Sequence, residues 1–248
     1  MEFLSIKTER GVTERRFDLK VGDESVPGIL WTPEGASGNR PLVLLGHGGT
    51  QHKRVENVLA LARTLVRHQG YAAVAIDAPG HGDRGNAEAM ARLRERIVSK
   101  QFTPEQRRDM ESRHALGAVE WKATLDAMER LPEIGQGAVG YWGLSMGTFI
   151  GVPFIAAEPR VKCAVLGLAG SRQYGDALES AARSITIPLL FLFQLNDELM
   201  TPESGLALFS AFGSSIKTMH LNPGPHVGVP PFEREYCETF FVRHLGQA

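Results

Sequence analysis

The chain has 248 residues, with 27 Lys and Arg against 28 Asp and Glu, a net charge of −1 and 43% hydrophobic residues. A balance this close to neutral gives no overall field to draw nucleic acid or an anionic membrane, and the length suits one domain with a sizeable core. Cys163 and Cys237 are too few for a disulfide framework and read as reduced structural thiols. The opening residues lack a basic region followed by a long apolar run, and no apolar run reaches the ~20 residues of a membrane span. The expectation is a cytoplasmic protein, a single domain over 1–248, with no nucleic-acid or membrane partner.

In chain order, "RRFDLKV" (15–21) and "VPGILWT" (26–32) read as two strands of a hairpin-like lead-in. "TPEGASGNRP" (32–41) is a turn rich in Gly, Pro and Asn. A rhythm then begins. "PLVLLGH" (41–47) is a continuous apolar run, as a strand covered on both faces should be. Residues 54–69 carry Val55, Val58, Leu59, Ala62, Leu65 and Val66, the spacing of a helix with one buried face. "YAAVAID" (71–77), "GAVGYWG" (137–143), "VKCAVLGL" (161–168), "PLLFLFQ" (188–194) and "KTMHLN" (217–222) are further strands. Helical segments separate them, and "FEREYCETFFVRHL" closes the chain with Phe232, Tyr236 and Phe240 four apart. The pattern predicts about eight strands in a mostly parallel sheet with helices on both faces.

The interval between 77 and 137 is far longer than a plain crossover needs. Residues 87–98 look helical, with Met90, Leu93 and Ile97 on one side. A longer helix over 104–131 starts at the Thr103–Pro104 signal. The first part reads as an excursion over the C-terminal edge of the sheet, a small helical cap at about 84–113, and the second as the crossover. A smaller excursion spans 170–186.

"GLSMG" (143–147) lies between the strand "AVGYWG" and the helix "SMGTFIGVPFIAAEP". Ser145 therefore sits on a sharp strand-to-helix turn, where Gly143 and Gly147 permit close backbone approach. Such a turn lifts the hydroxyl above the sheet edge and aims the first N–H groups of the helix at charge forming there. That edge is also where open α/β sheets bind ligands.

Several features agree in order: "GHGG" after the third strand, "GLSMG" after the fifth, an acid after the seventh and a histidine after the eighth. Over nearly the whole chain this pattern resembles the α/β-hydrolase superfamily. The resemblance implies that fold and a nucleophile–acid–histidine order. Ser145 is then the nucleophile. His226, in the loop "NPGPHVGVPP", is the base, and His220 reads as a core or sheet-edge histidine. Asp197, at the end of "FLFQLND", is the preferred acid. Asp176 is its rival, and the neighbouring Glu198 reads as solvated surface. A serine hydroxyl needs such a base, held by a third group, to attack a carbonyl. The oxyanion would be held by the N–H groups of Met146 and of Gly49, with Gly48 as the second choice and His47 shaping the loop.

"DAPGHGDRG" (77–85) reads as a hydrogen-bonded loop beside the site rather than a metal cluster. With "GHGG…HK" it resembles the dienelactone-hydrolase-like and prolyl-oligopeptidase-related esterases. Dienelactone hydrolases proper use cysteine where this chain has Ser145, so their substrate is not carried over. The arginines of 84–113 are interleaved with acids and read as a solvated cap face. Gly48, His52, Arg84 and Tyr174 are candidates for the substrate pocket. No phosphate-loop, dinucleotide or zinc spacing is present, so no cofactor or metal is expected. The expected function is a serine carboxylesterase acting on small or medium acyl esters, as a monomer or homodimer. Thioesterase, peptidase and acyltransferase chemistry use the same triad and stay open, as does a non-catalytic binding role.

Overall fold

The structure is a computed structural model that describes residues 1–171 and 175–247. Its strands are β1 (Glu2–Glu9), β2 (Val12–Val21), β3 (Glu24–Pro33), β4 (Leu42–Gly46), β5 (Ala72–Ile76), β6 (Val139–Leu144), β7 (Val161–Gly167), β8 (Leu189–Gln194) and β9 (Lys217–Asn222). Its helices are α1 (Glu56–Gln69), α2 (Ala87–Ser99), α3 (Pro104–Met128), α4 (Met146–Ala157), α5 (Gly175–Ser184), α6 (Pro202–Ala211) and α7 (Glu233–Leu245). The strands form one sheet in the order β1-β2-β3-β5-β4-β6-β7-β8-β9. β1, β2, β3 and β5 pair antiparallel, and every pairing from β5 through β4 to β9 is parallel.

The strand expectation of about eight becomes nine, because β1 precedes the predicted lead-in. β1 is almost wholly exposed, so it carries no burial pattern that a sequence could advertise. It is a hairpin arm, joined to β2 by Arg10 and Gly11, both at positive φ (52° and 75°). Two such residues make the tight turn whose twist suits antiparallel strands.

The parallel strands are apolar throughout because both faces are covered. Along β4, Leu42 and Leu44 face one core, while Val43 and Leu45 face the other. α3, α4, α5 and α6 close the first side through Trp121, Leu125, Phe149, Val152, Leu178 and Leu208. α1 and α7 close the second through Val58, Leu61, Leu65, Phe241 and Leu245. Each fully buried side chain of this size stabilises by roughly 1.5–3 kcal/mol relative to exposure. The buried stripe of α7 is Cys237, Phe241 and Leu245, one residue beyond the aromatic stripe seen in the sequence. Phe232 and Tyr236 instead stack edge to face on the outside.

The long interval after β5 resolves into α2 and α3. A capping box at Thr103 and Gln106 opens α3. α3 begins to bury side chains only at His114. α2 has none buried. No helix among the described residues is long and apolar enough to cross a membrane.

Candidate active site

The loops after β4, β6, β8 and β9 converge at the C-terminal edge of the sheet. Ser145 stands between β6 and α4 with φ 56° and ψ −117°. A non-glycine residue held there costs of order 1–3 kcal/mol, so its surroundings must over-determine it. They do. Its N–H donates to Gly167 O at 2.9 Å. Thr148 Oγ1 lies 2.8 Å from Gly143 O and 2.6 Å from Gly167 O, and accepts the Gly167 N–H. The flanking glycines answer a steric need. A Cβ on Gly147 would come 2.6 Å from Gly46 O, and one on Gly143 2.7 Å from Gly147 O.

His226 Nε2 lies 2.9 Å from Ser145 Oγ, and His226 Nδ1 lies 2.7 Å from Asp197 Oδ2. The Asp197 side chain is fully buried. Its other oxygen accepts the N–H groups of Leu199 and Met200 at 2.8 and 2.9 Å. With both carboxylate oxygens engaged, the acid cannot turn away from the histidine. Serine, histidine and carboxylate thus form one continuous hydrogen-bonded chain. The side chain of the rival acid, Asp176, lies outside the described residues. His220 pairs with Glu233 at 2.9 Å and ties β9 to α7, as a sheet-edge histidine would.

The loop after β4 is set by a buried imidazole. His47 Nε2 accepts the Ala78 N–H at 3.0 Å, so Nδ1 bears the proton and donates to Gly48 O at 2.8 Å. Burial pushes the His47 pKa down to about 4, which keeps the ring neutral. Across a trans peptide the C=O and N–H point in opposite directions. With Gly48 O turned to His47, the Gly49 N–H faces away from it. Gly48 N–H is occupied by Gln51 Oε1 at 3.0 Å. The N–H groups of Gly49 and Met146 have no partner among the described residues.

The "DAPGHGDRG" loop is a hydrogen-bonded brace. Buried Asp77 accepts from Lys53 N and Asp83 N at 2.9 Å each, and from Lys53 Nζ. This ion pair locks the β4 loop to the β5 loop. Among the described residues, no group of three or more His, Cys, Asp or Glu could hold a metal ion. The pocket candidates separate. Arg84 does not face the triad chain: it grips buried Glu120 through two 2.8 Å bonds and also reaches Asp77 O. His52 is exposed, and its Nδ1 accepts the Arg54 N–H at 3.1 Å. Tyr174 lies outside the described residues. Over the loop lies α2. Its Ile97 Cδ1 is 3.7 Å from where a Cβ on Gly49 would stand, and Met90, Leu93 and Ile97 share a half-buried stripe.

Sequence reasoning missed Thr148, Lys53, Gln51 and Glu198. Glu198 is not merely solvated, since its Oε2 accepts the His226 N–H at 2.9 Å. Only their closeness in sequence, Thr148 three residues after Ser145 and Glu198 next to Asp197, could have flagged them. Lys53 and Gln51 meet their partners through the fold.

A strand-to-helix elbow carrying this hydrogen-bonded chain, on a mostly parallel sheet covered on both faces, defines the class of the α/β-hydrolases. No protein-family model and no curated protein matches the chain. Solved structures do. A cold-adapted esterase from an Arctic intertidal metagenomic library, in its PEG-bound complex, is 38% identical over 99% of this chain and 100% of its own, with a TM-score of 0.84. An acetyl xylan esterase from Paenibacillus sp. R4 is 16% identical over 98% of this chain and 88% of its own (TM-score 0.74). A dienelactone hydrolase from Anabaena variabilis ATCC 29413 is 21% identical over 95% and 100% (TM-score 0.71). The latter two likenesses bear on the fold alone. The chain belongs to the α/β-hydrolase esterases, a family of carboxylic ester hydrolases.

Proposed function

We propose that the protein cleaves small or medium acyl esters through an acyl-enzyme on Ser145. The observation that carries this reading is the unbroken Ser145–His226–Asp197 chain, with contacts of 2.9 and 2.7 Å. Ser145 Oγ attacks the ester carbonyl while His226 Nε2 takes its proton. Asp197 holds Nδ1–H, fixes the tautomer and stabilises the imidazolium that forms. The carbonyl oxygen becomes an oxyanion and accepts from the Met146 and Gly49 N–H groups, with Gly48 excluded by its bond to Gln51. Collapse expels the alcohol, which takes the proton from His226. Water then attacks the acyl carbonyl, giving its proton to His226, and Ser145 leaves with that proton restored.

Residues 84–113 form the cap in this reading, and the stripe of Met90, Leu93 and Ile97 borders the acyl group. Exposed Val227 and Leu195, each within two residues of a triad member, add apolar surface. All three triad residues come from one chain, so a monomer suffices, and a homodimer would leave the site unchanged. A cytoplasmic setting is supported by the buried, unpaired thiols of Cys163 and Cys237. The test is hydrolysis of p-nitrophenyl esters of increasing acyl length, with fluorophosphonate labelling, by the wild type and Ser145→Ala. The variant should lose both activity and labelling. Full activity in it would overturn the proposal.

A further inference from the structure

We propose that Glu198 is a positioning residue for His226, holding its main chain while Asp197 holds its ring. The inference rests on the triad reading above. The loop carrying His226 has little backbone of its own to hold it. In "NPGPHVGVPP" four prolines lack an N–H, and no strand runs through 223–231. Its anchors come instead from the segment that carries the acid. Gln194 Nε2 donates to Gly228 O at 2.8 Å. Asn196 Oδ1 accepts the Gly224 N–H at 3.1 Å, and Asn196 N–H donates to Gly224 O at 3.1 Å. Glu198 Oε2 accepts the His226 N–H itself at 2.9 Å.

Three polar side chains at alternate positions, 194, 196 and 198, thus grip the loop, and the intervening Asp197 grips the imidazole. The bond from Glu198 is charge-assisted, which makes it stronger than a neutral one. It is also local to the catalytic histidine, whereas the other two act two residues away. Without it, the main chain of His226 itself has no anchor from the acid segment, and the loop is held only two residues to either side, at Gly224 and Gly228. The 2.9 Å reach to Ser145 is then no longer fixed.

The test is steady-state hydrolysis of p-nitrophenyl acetate by Glu198→Ala and Glu198→Gln, normalised to active sites by fluorophosphonate titration, with Ser145→Ala alongside. Glu198→Ala should lower kcat by about 10- to 100-fold with KM changed less than about 3-fold, as a small misplacement of a catalytic base does. Glu198→Gln keeps an acceptor oxygen and should restore kcat to within about 3-fold of wild type. A merely structural glutamate would lower the thermal midpoint and leave kcat per site unchanged. Wild-type kcat in Glu198→Ala, or Glu198→Gln as slow as Glu198→Ala, overturns the assignment. Where Glu198→Ala does not fold, Glu198→Asp retracts the acceptor by one methylene and should be slow at unchanged KM, and wild-type kcat there also overturns it. Activity surviving in Ser145→Ala instead sinks the triad reading, which separates the two failures.

Discussion

The elbow at Ser145 and helix α2, whose Ile97 lies over the β4 loop at Gly49, are built in opposite ways. Around Ser145, each neighbour from Gly143 to Phe149 except Ser145 itself is buried, and the strained backbone is locked by four hydrogen bonds or close polar contacts. α2 has no buried residue, and its polar face carries exposed pairs such as Arg92 with Glu88. The difference teaches a division of labour. In the proposed mechanism the elbow carries groups that move protons, and such groups must be held to within a fraction of an ångström. A surface proposed only to border the acyl group can rest lightly on the rest of the molecule, and lightly anchored elements open at low free-energy cost.

Substitutions should break this contrast in proportion to how tightly each site is held. The largest effect is expected at Asp197→Asn, which keeps the shape but favours the wrong His226 tautomer. Its kcat should fall by about 10⁴-fold, read by initial rates, with an unchanged far-UV spectrum. Gly147→Ala attacks the elbow sterically. With its Cβ 2.6 Å from Gly46 O, backbone must shift. A loss of about 2–3 kcal/mol is expected, or roughly 5–10 °C in thermal midpoint.

The junction of the two regions holds a pH-sensitive pair. Burial pushes both His47 and His114 down to about 4, and His114 stacks on Phe149 of α4 with ring centroids 5.9 Å apart. His81 lies beside them, 5.5 Å from His47, and burial lowers its pKa too. Unfolded, each imidazole binds a proton near pH 6.5. Folded, His47 and His114 bind theirs only near 4. Between those values the unfolded state holds more protons, so stability falls as pH drops from about 6.5 to 4 and levels off below. Urea denaturation at pH 7.5 and 5.0 should show a loss of about 4 kcal/mol, from about 1.5 pH units at about 1.4 kcal/mol per unit for each of the two histidines. His114→Phe should flatten the slope. A pH-independent midpoint would contradict the assignment.

The smallest effect on the fold belongs to the cap. Ile97→Ala should cost less than about 1 kcal/mol and leave kcat on p-nitrophenyl acetate nearly unchanged, while raising KM for longer acyl esters about 3- to 10-fold. A loss of stability as large as that of Gly147→Ala would show that α2 belongs to the core, and would erase the contrast.

The members of the hydrogen-bonded chain were legible before any coordinates. Ser145, His226 and Asp197 stand out because strand-ending residues in a fixed order are a local signal in the chain. Glu198, next to Asp197, and Thr148, three residues after Ser145, were invisible as actors, because their partners are main-chain atoms and any residue supplies those. The partners of Arg84 were hidden for a related reason. Its partner Glu120 is 36 positions away, and nothing in either residue announces the pairing.

By itself the sequence determined the alternation of apolar strands with amphipathic helices, and with it the parallel sheet, the elbow and the order of the triad. These follow from periodicity and from glycine's freedom, which act over a few residues. The tertiary structure decided that the Gly48 N–H is taken by Gln51, which stripe of α7 is buried, and that β1 joins the sheet. It also decided that Lys53 and Asp77 brace the loop beneath the site. Each of these depends on contacts between distant segments, where packing and hydrogen-bond satisfaction choose among partners that the local sequence leaves equivalent.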